Sequence, residues 1–214
     1  MSLDLRVVAV VDPSVLGGRD IIAAAVAAES GGATAIQLRI KDAAAGQVFQ
    51  TARALCARLS VPLYVNDRAD VAWAAGAAGV HLGQDDMPAA PLRALLPPPF
   101  RIGISVGSPD EARVAGAADY WSVGPVYRTA TKPDAGDPLG PAGFADLARL
   151  APPGMPVIAI GGITAANVGA VMAAGAHGVA VIGAIFGGPD IERATREIRD
   201  AVDGQFKRHD GMMA

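Results

Sequence analysis

Residues 75–83 of the sequence read AGAAGVHLG, and two later stretches repeat the same order of features. They are GAADYWSVG at 116–124 and AGAHGVAVIG at 174–183. Each copy has the pattern of a helix end, a glycine or alanine turn and a short apolar strand, because glycine readily adopts the left-handed conformation that ends a helix. The repeat indicates one helix–turn–strand unit that is used several times along the chain.

Short runs rich in valine and isoleucine extend this unit over most of the sequence. The predicted strands are 7–11, 35–40, 62–66, 79–82, 101–106, 120–126, 156–160 and 178–182. Alanine-rich segments of helical length separate most of them, which predicts parallel strands joined by right-handed crossovers. We therefore expect an α/β fold, a single compact (β/α)8 TIM barrel over residues 1–214, with a short flexible tail from about 205. A doubly wound open sheet is the alternative, but DPSVLGG follows the first strand where that fold would usually have G-x-G-x-x-G.

The composition restricts the function classes. The 214 residues are 51% hydrophobic and 18% charged, with a net charge of −3, so nothing attracts nucleic acid or an anionic membrane in general. No apolar run is long enough for a membrane span, and the single Cys56 excludes an internal disulfide, so we expect a cytoplasmic protein. Any anion must bind at a local site, and homo-oligomer formation stays open.

Polar residues alternate along the second predicted strand. Gln37, Arg39 and Lys41 fall on one face, and Leu38 and Ile40 fall on the other. Working groups of such barrels lie at the carboxyl ends of the strands, so this polar face predicts an anion site at the barrel mouth. A solvated strand end is the alternative interpretation.

Carboxylates follow the next two strands. Asp67 comes directly after Asn66, and Asp85 and Asp86 follow the fourth strand. Because adjacent parallel strands lie about 4.8 Å apart, these groups can share a small volume with the cations, which suggests Mg²⁺ and a phosphorylated ligand. Alternatively, Asp67 caps a turn and pairs with Arg68, and Asp85 or Asp86 caps a helix that begins near Pro88.

The last strands end in glycine. AIGGIT begins at 159 and VIGAIFGG at 181, and glycine turns there let backbone N–H groups approach a phosphate, which predicts a second phosphate site. Such turns are also common for steric reasons alone. The three histidines have no metal-ligand spacing, and we interpret them and Cys56 as structural.

Taken in order, the motifs QLRIK, NDR, GVHLGQDD, GISV, VGPVYRTATKPDAGDPLG, AIGGI and GVAVIGAI resemble those of the thiamine phosphate synthase family over nearly the whole chain. That family is a (β/α)8 enzyme that joins hydroxymethylpyrimidine diphosphate to thiazole phosphate with Mg²⁺ and releases pyrophosphate. The combination is specific, although no single motif is.

The resemblance implies roles for individual residues. It assigns the Mg²⁺ ligands to Asp67 and Asp86, and the catalytic groups to Lys132, Arg39, Lys41 and Ser105. The loop that follows the sixth strand would contact both substrates. The implied substrate-binding residues are Gln37, Leu38, Arg39, Ile40, Lys41, Asn66, Ser105, Thr129, Ala130, Thr131, Lys132, Gly162, Ile182 and Gly183.

The chain departs from the family pattern in three places. Family members often have glutamate at Ile40, an aromatic residue in the first strand, and serine at Gly183. A sister group, the thiazole tautomerases, shares the barrel but lacks much of this diphosphate and magnesium set, and has a functional histidine near Gly107. A synthase is the leading interpretation, and a tautomerase or a non-catalytic barrel that binds thiamine precursors are the alternatives.

Overall fold

The computed structural model describes residues 3–129, 131 and 136–212, with side chains through 206. Within these residues eight parallel strands, β1 to β8, close into a barrel in sequence order. Pairing of β8 with β1, which places Val8 beside Ala180, excludes the open doubly wound sheet. The strands are Val7–Val11, Ala35–Leu38, Leu63–Asn66, Gly79–Leu82, Arg101–Val106, Tyr120–Val123, Val157–Ile160 and Val179–Val181.

Helices surround the barrel, and in the described residues they are numbered α1 to α10. They are Pro13–Leu16, Ile21–Ser30, Ala45–Arg58, Ala69–Ala75, Ala89–Leu95, Pro109–Val114, Gly140–Ala148, Val168–Ala173, Gly183–Phe186 and Ile191–Met212. None of the described helices is both long and apolar enough to cross a membrane. The last helix continues to Met212, whereas we expected a tail from about 205.

Two predicted strands end two or three residues earlier than expected. β2 stops at Leu38 instead of 40, and β6 stops at Val123 instead of 126. The end of β6 has a simple cause, because Pro125 follows Gly124 and has no N–H to donate to the strand ladder. The earlier end of β2 moves Arg39 out of the sheet and into a loop at the barrel mouth.

The repeated phrase forms the turn that we predicted. Gly76 ends α4 with φ 76°, and Gly175 follows α8 with φ 95°. In the middle copy a non-glycine residue takes the left-handed position, since Ala117 has φ 63°. The turn is therefore reused at the amino-terminal side of β4, β6 and β8, with a backbone cost at the alanine.

Most strands contribute alternate side chains to two separate hydrophobic cores. The outer core lies between strands and helices, and the smaller inner core lies inside the barrel. Tyr64 and Tyr120 fill much of the inner core and meet edge to face, with ring centroids 5.7 Å apart. Gly103 makes room for them, because a Cβ there would lie 2.1 Å from Cζ of Tyr120. The inner core therefore supports the polar side chains above it.

Candidate active site

The end of β2 separates polar and apolar side chains as predicted. Gln37 is 5% exposed and faces the barrel interior, whereas Leu38 is fully buried in the outer core. Ile40 packs against that outer core as well. Arg39 and Lys41 lie in the loop beyond the strand. Leu38 and Ile40 could therefore contact a ligand at the mouth only through their backbone.

A chain of hydrogen bonds joins the ends of β2 and β3. The Lys41 ammonium lies 2.7 Å from Oδ2 of Asp67, and Oδ1 of Asp67 accepts from Nδ2 of Asn66 at 2.6 Å. Oδ1 of Asn66 in turn accepts from Nε2 of Gln37 at 2.8 Å. Four residues that the sequence analysis named separately are thus held in one network. Asp67 has φ 64°, a left-handed conformation that turns its side chain into this network.

Asp86 joins the same site from the loop after β4. Its Oδ2 accepts from the Gly83 N–H at 2.6 Å, and its carboxyl group lies close enough to that of Asp67 for the two to influence each other electrostatically. Burial raises the pKa of Asp86, the neighbouring Asp67 carboxyl group raises it further, and the Gly83 N–H and the Lys41 charge oppose this. The two carboxyl groups therefore share one small volume.

Two of the structural alternatives for these aspartates, the helix cap and the Arg68 ion pair, are wrong. Helix α5 begins at Ala89 after Pro88, and no side chain caps it. Arg68 pairs with Asp70 at 2.6 Å and not with Asp67. The contacts of Asp67 and Asp86 are instead directed toward each other and the neighbouring polar groups.

The residues at this position fit a magnesium ion. Two carboxylates converge there, and Mg²⁺ is usually bound by one or two carboxylates plus water and phosphate oxygens. Among the described residues no group of three or more His, Cys, Asp or Glu side chains could hold a metal alone.

Asp12 is a residue that the sequence analysis missed. It follows β1 directly, is 4% exposed, and forms an ion pair with Nη1 of Arg39. Its other oxygen accepts from the Ser14 N–H at 2.9 Å at the start of α1. Asp12 thus fixes the guanidinium that the sequence placed at the mouth. The rule that working groups follow the strands could have identified it.

Ser105 lies on β5 beside a buried polar cluster. Nε2 of His81 is 3.0 Å from its Oγ, and Nδ1 of His81 is 3.0 Å from the Tyr120 hydroxyl. Gln84 donates to the Ser105 carbonyl at 2.6 Å and to Glu111 at 2.7 Å. The histidine that we interpreted as structural therefore contacts a predicted site residue directly.

The other side of the mouth is formed by loops after β6, β7 and β8. Gly161 and Gly162 have φ 100° and 61°, and a Cβ on Gly162 would lie 2.6 Å from the Arg128 carbonyl oxygen. A Cβ on Gly183 would lie 3.5 Å from Oγ1 of Thr131, so the β6 loop reaches the end of β8. The Thr131 N–H donates to Oγ1 of Thr129 at 3.3 Å. Ala130 and Lys132 lie outside the described residues.

The remaining histidines and the cysteine lie away from these contacts. Nδ1 of His177 accepts from the N–H of Val157 at 3.2 Å, at the start of β7. Cys56 is partly buried on α3, and burial raises the pKa of its thiol. The side chain of His209 lies outside the described part of the chain.

The closed barrel and its polar mouth define an enzyme of the (β/α)8 class. Residues 7–185 match the family model described as thiamine monophosphate synthase. The chain belongs to this family and is a transferase. It is 50% identical over 177 residues to the thiamine-phosphate synthase of Methanospirillum hungatei, covering 80% of this chain and 84% of that protein.

Two further relatives extend the likeness over nearly the whole chain. The thiamine-phosphate synthase of Azorhizobium caulinodans is 41% identical over 206 residues, covering 94% of this chain and 96% of that protein. The solved structure of thiamine phosphate pyrophosphorylase from Pyrococcus furiosus is 34% identical with a TM-score of 0.85, covering 94% and 97%. The predicted family and fold are thus confirmed.

Proposed function

We propose that this transferase condenses 4-amino-2-methyl-5-hydroxymethylpyrimidine diphosphate with thiazole phosphate to give thiamine phosphate and pyrophosphate. The observation that supports this most directly is the pairing of Asp67 with Asp86 beside the Lys41 ammonium. Two carboxylates next to a cation suit a magnesium diphosphate, and the thiazole tautomerases lack much of this set.

The diphosphate would bind at the ends of β2 and β3. Arg39 and Lys41 supply positive charge, and Asp12 holds the Arg39 guanidinium in place. Mg²⁺, when bound by Asp67 and Asp86, would neutralise part of the diphosphate charge. Gln37 and Asn66 belong to the hydrogen-bonded network of Asp67, and together with Ser105 on β5 they would contact the pyrimidine ring.

The reaction would break the bond between the pyrimidine methylene carbon and the diphosphate oxygen. Pyrophosphate leaves with the bonding electrons, and the lone pair of the thiazole nitrogen forms the new carbon–nitrogen bond. Negative charge grows on the leaving group, so Arg39, Lys41 and Lys132 would stabilise the transition state more than the ground state. No general base is needed, because the thiazole nitrogen attacks through its own lone pair.

The thiazole phosphate would bind on the opposite side of the mouth. Thr129 and Thr131 would contact its oxygens, together with backbone groups of Gly162, Ile182 and Gly183. The proximity of Thr131 to Gly183 supports one shared site for these two loops. We place the reaction in the cytoplasm, where the half-buried thiol of Cys56 would stay reduced.

Pyrophosphate release with each substrate alone and with both together tests the proposal. A synthase releases pyrophosphate only when both substrates and Mg²⁺ are present, and a chelator stops the reaction. Isomerisation of the thiazole alone would show a tautomerase, and binding without turnover would show a non-catalytic barrel. Either result would contradict the proposed function.

A further inference from the structure

Ser105 lies at the end of a chain of hydrogen bonds that begins inside the barrel. The Tyr120 hydroxyl lies 3.0 Å from Nδ1 of His81, and Nε2 of His81 lies 3.0 Å from Oγ of Ser105. Tyr120 is 1% exposed and His81 is 5% exposed, whereas Ser105 is partly exposed. The chain therefore leads from the inner core toward the mouth.

Tyr120 determines which atom donates and which accepts in each hydrogen bond of this chain. Burial raises the pKa of Tyr120 well above its usual value, so the phenol keeps its proton. A buried O–H needs an acceptor, and Nδ1 of His81 lies at hydrogen-bond distance. An imidazole that accepts at Nδ1 has its proton on Nε2, and this N–H then donates to Ser105.

Packing holds the tyrosine in the position that this direction requires. A Cβ on Gly103 would lie 2.4 Å from the Tyr120 hydroxyl oxygen, so the ring occupies space that only a glycine leaves. Tyr64 packs edge to face against the same ring. Packing thus holds the Tyr120 hydroxyl where it can donate to Nδ1 of His81.

The hydrogen-bonded network that runs from β3 to β2 leaves a hydrogen-bond acceptor at the mouth, where the Ser105 chain leaves a donor. The Asp67 carboxylate, paired with Lys41, can only accept, so Asn66 donates to it through Nδ2. Oδ1 of Asn66 then accepts from Nε2 of Gln37, and Oε1 of Gln37 is left as the acceptor of that amide. The site thus combines two groups. Oε1 of Gln37 can accept a hydrogen bond, and the Ser105 hydroxyl, which already accepts from His81, can donate one.

We propose that Tyr120 and His81 are positioning residues that hold Ser105 as a hydrogen-bond donor, and that Ser105 and Gln37 together select a 4-aminopyrimidine over a 4-oxopyrimidine. A 4-aminopyrimidine presents an N–H donor on its amino group and a lone pair on the adjacent ring nitrogen. A 4-oxopyrimidine presents the reverse pattern, with an accepting oxygen and a ring N–H. This inference rests on the proposed function, because it takes the pyrimidine diphosphate as substrate.

Kinetics with two substrates measure this selectivity. The wild-type protein should prefer the 4-amino diphosphate over its 4-oxo analogue by about 10²-fold or more in kcat/KM, because the analogue leaves buried polar groups unpaired. Tyr120→Phe removes the start of the chain, and should lower kcat/KM for the 4-amino substrate and the amino-to-oxo preference about 10-fold each. The KM for thiazole phosphate should not change.

Tyr64→Phe is the matched control, since it removes a second phenol of the inner core that lies outside the chain. It should keep the amino-to-oxo preference of the wild type. An equal effect of Tyr64→Phe and Tyr120→Phe on that preference, or no effect of either, would overturn the positioning role.

Nitrogen NMR of the free protein tests the proton direction without any turnover. The His81 signals, identified by their loss in His81→Gln, should show the Nε2–H tautomer in the wild type and a shift toward Nδ1–H in Tyr120→Phe. An Nδ1–H tautomer in the wild type would overturn the inference. Absence of pyrophosphate release from the 4-amino substrate would instead overturn the proposed function, and the NMR result would still decide the direction of the chain.

Discussion

The two sides of the barrel mouth are built differently. On the side of β2 to β5, charged and amide side chains hold one another in hydrogen-bonded chains, as Lys41, Asp67, Asn66 and Gln37 do. On the side of β6 to β8, the contacts involve glycine backbone, two threonines and the Asn167 side chain, which donates to the Gly162 carbonyl at 2.9 Å. We therefore expect substitutions that remove charge to impair the β2–β5 side, and substitutions that add side-chain volume to impair the β6–β8 side.

Removal of both carboxylates should give the largest effect. Asp67→Ala combined with Asp86→Ala should lower turnover by about 10³-fold or more, because the developing pyrophosphate loses its Mg²⁺ site. Both residues lie at the mouth and outside the cores, so the barrel should stay folded. Steady-state pyrophosphate release across a Mg²⁺ titration measures the effect.

Asp146→Ala is a control for that change, because Asp146 is an exposed aspartate on α7, away from the barrel mouth, that forms an ion pair with Arg149. It should leave turnover and Mg²⁺ dependence unchanged. Near-normal Mg²⁺-dependent turnover in the double variant would remove Asp67 and Asp86 from the metal site.

Replacement of Lys132 should have the next largest effect. Lys132→Ala should lower kcat more than it raises the KM for the pyrimidine diphosphate, by roughly 2 to 4 kcal/mol in transition-state stabilisation. Lys132→Arg should restore only part of this, because a planar guanidinium does not reproduce a compact ammonium. Unchanged kcat and kcat/KM would show that Lys132 is a solvated loop residue.

Filling space at Gly162 should affect the thiazole side. Gly162→Ala places a Cβ 2.6 Å from the Arg128 carbonyl oxygen and 2.8 Å from Cβ of Tyr127, so the loop after β6 must move. We expect the KM for thiazole phosphate to rise about 10-fold, with a loss of stability of about 1 to 2 kcal/mol from the left-handed backbone.

Gly154→Ala separates the effect of the collision from the effect of the left-handed backbone conformation. Gly154 has φ 79° and nothing within 4 Å of an added Cβ, so alanine there has the backbone cost without the collision. Its melting temperature should fall, and its KM for thiazole phosphate should stay at the wild-type value. A similar KM increase in both variants would mean that the position of the β6 loop does not matter.

The smallest effect is expected from restoring the family residue at Gly183. A Cβ there lies 3.5 Å from Oγ1 of Thr131, which is ordinary contact, so Gly183→Ser should fold normally. The added hydroxyl should lower the KM for thiazole phosphate 2- to 10-fold if it contributes about 0.5 to 1.5 kcal/mol. Gly183→Ala should not lower it, since alanine lacks the hydroxyl.

The local sequence pattern was enough to predict the strands, because turn residues precede each short apolar run. The residues at the ends of β2 and β3 could be predicted for the same reason, since strand polarity places them at one edge. The contact of Asp12 with Arg39 and that of His81 with Tyr120 could not be predicted, because neither pair of residues has a motif of its own. The roles of Asp12 and His81 depend on which side chains from other strands lie within hydrogen-bond distance, about 3 Å.

The sequence by itself determined the eight-unit barrel, the family and the location of the mouth, since hydrophobic period and turn residues act over a few positions. Only the tertiary structure decided that Asp86 lies beside Asp67, that Asp12 holds Arg39, and that His81 joins Tyr120 to Ser105. These contacts cross strands that are far apart in sequence. The direction of each hydrogen bond depends on what both partners can donate or accept once water is excluded.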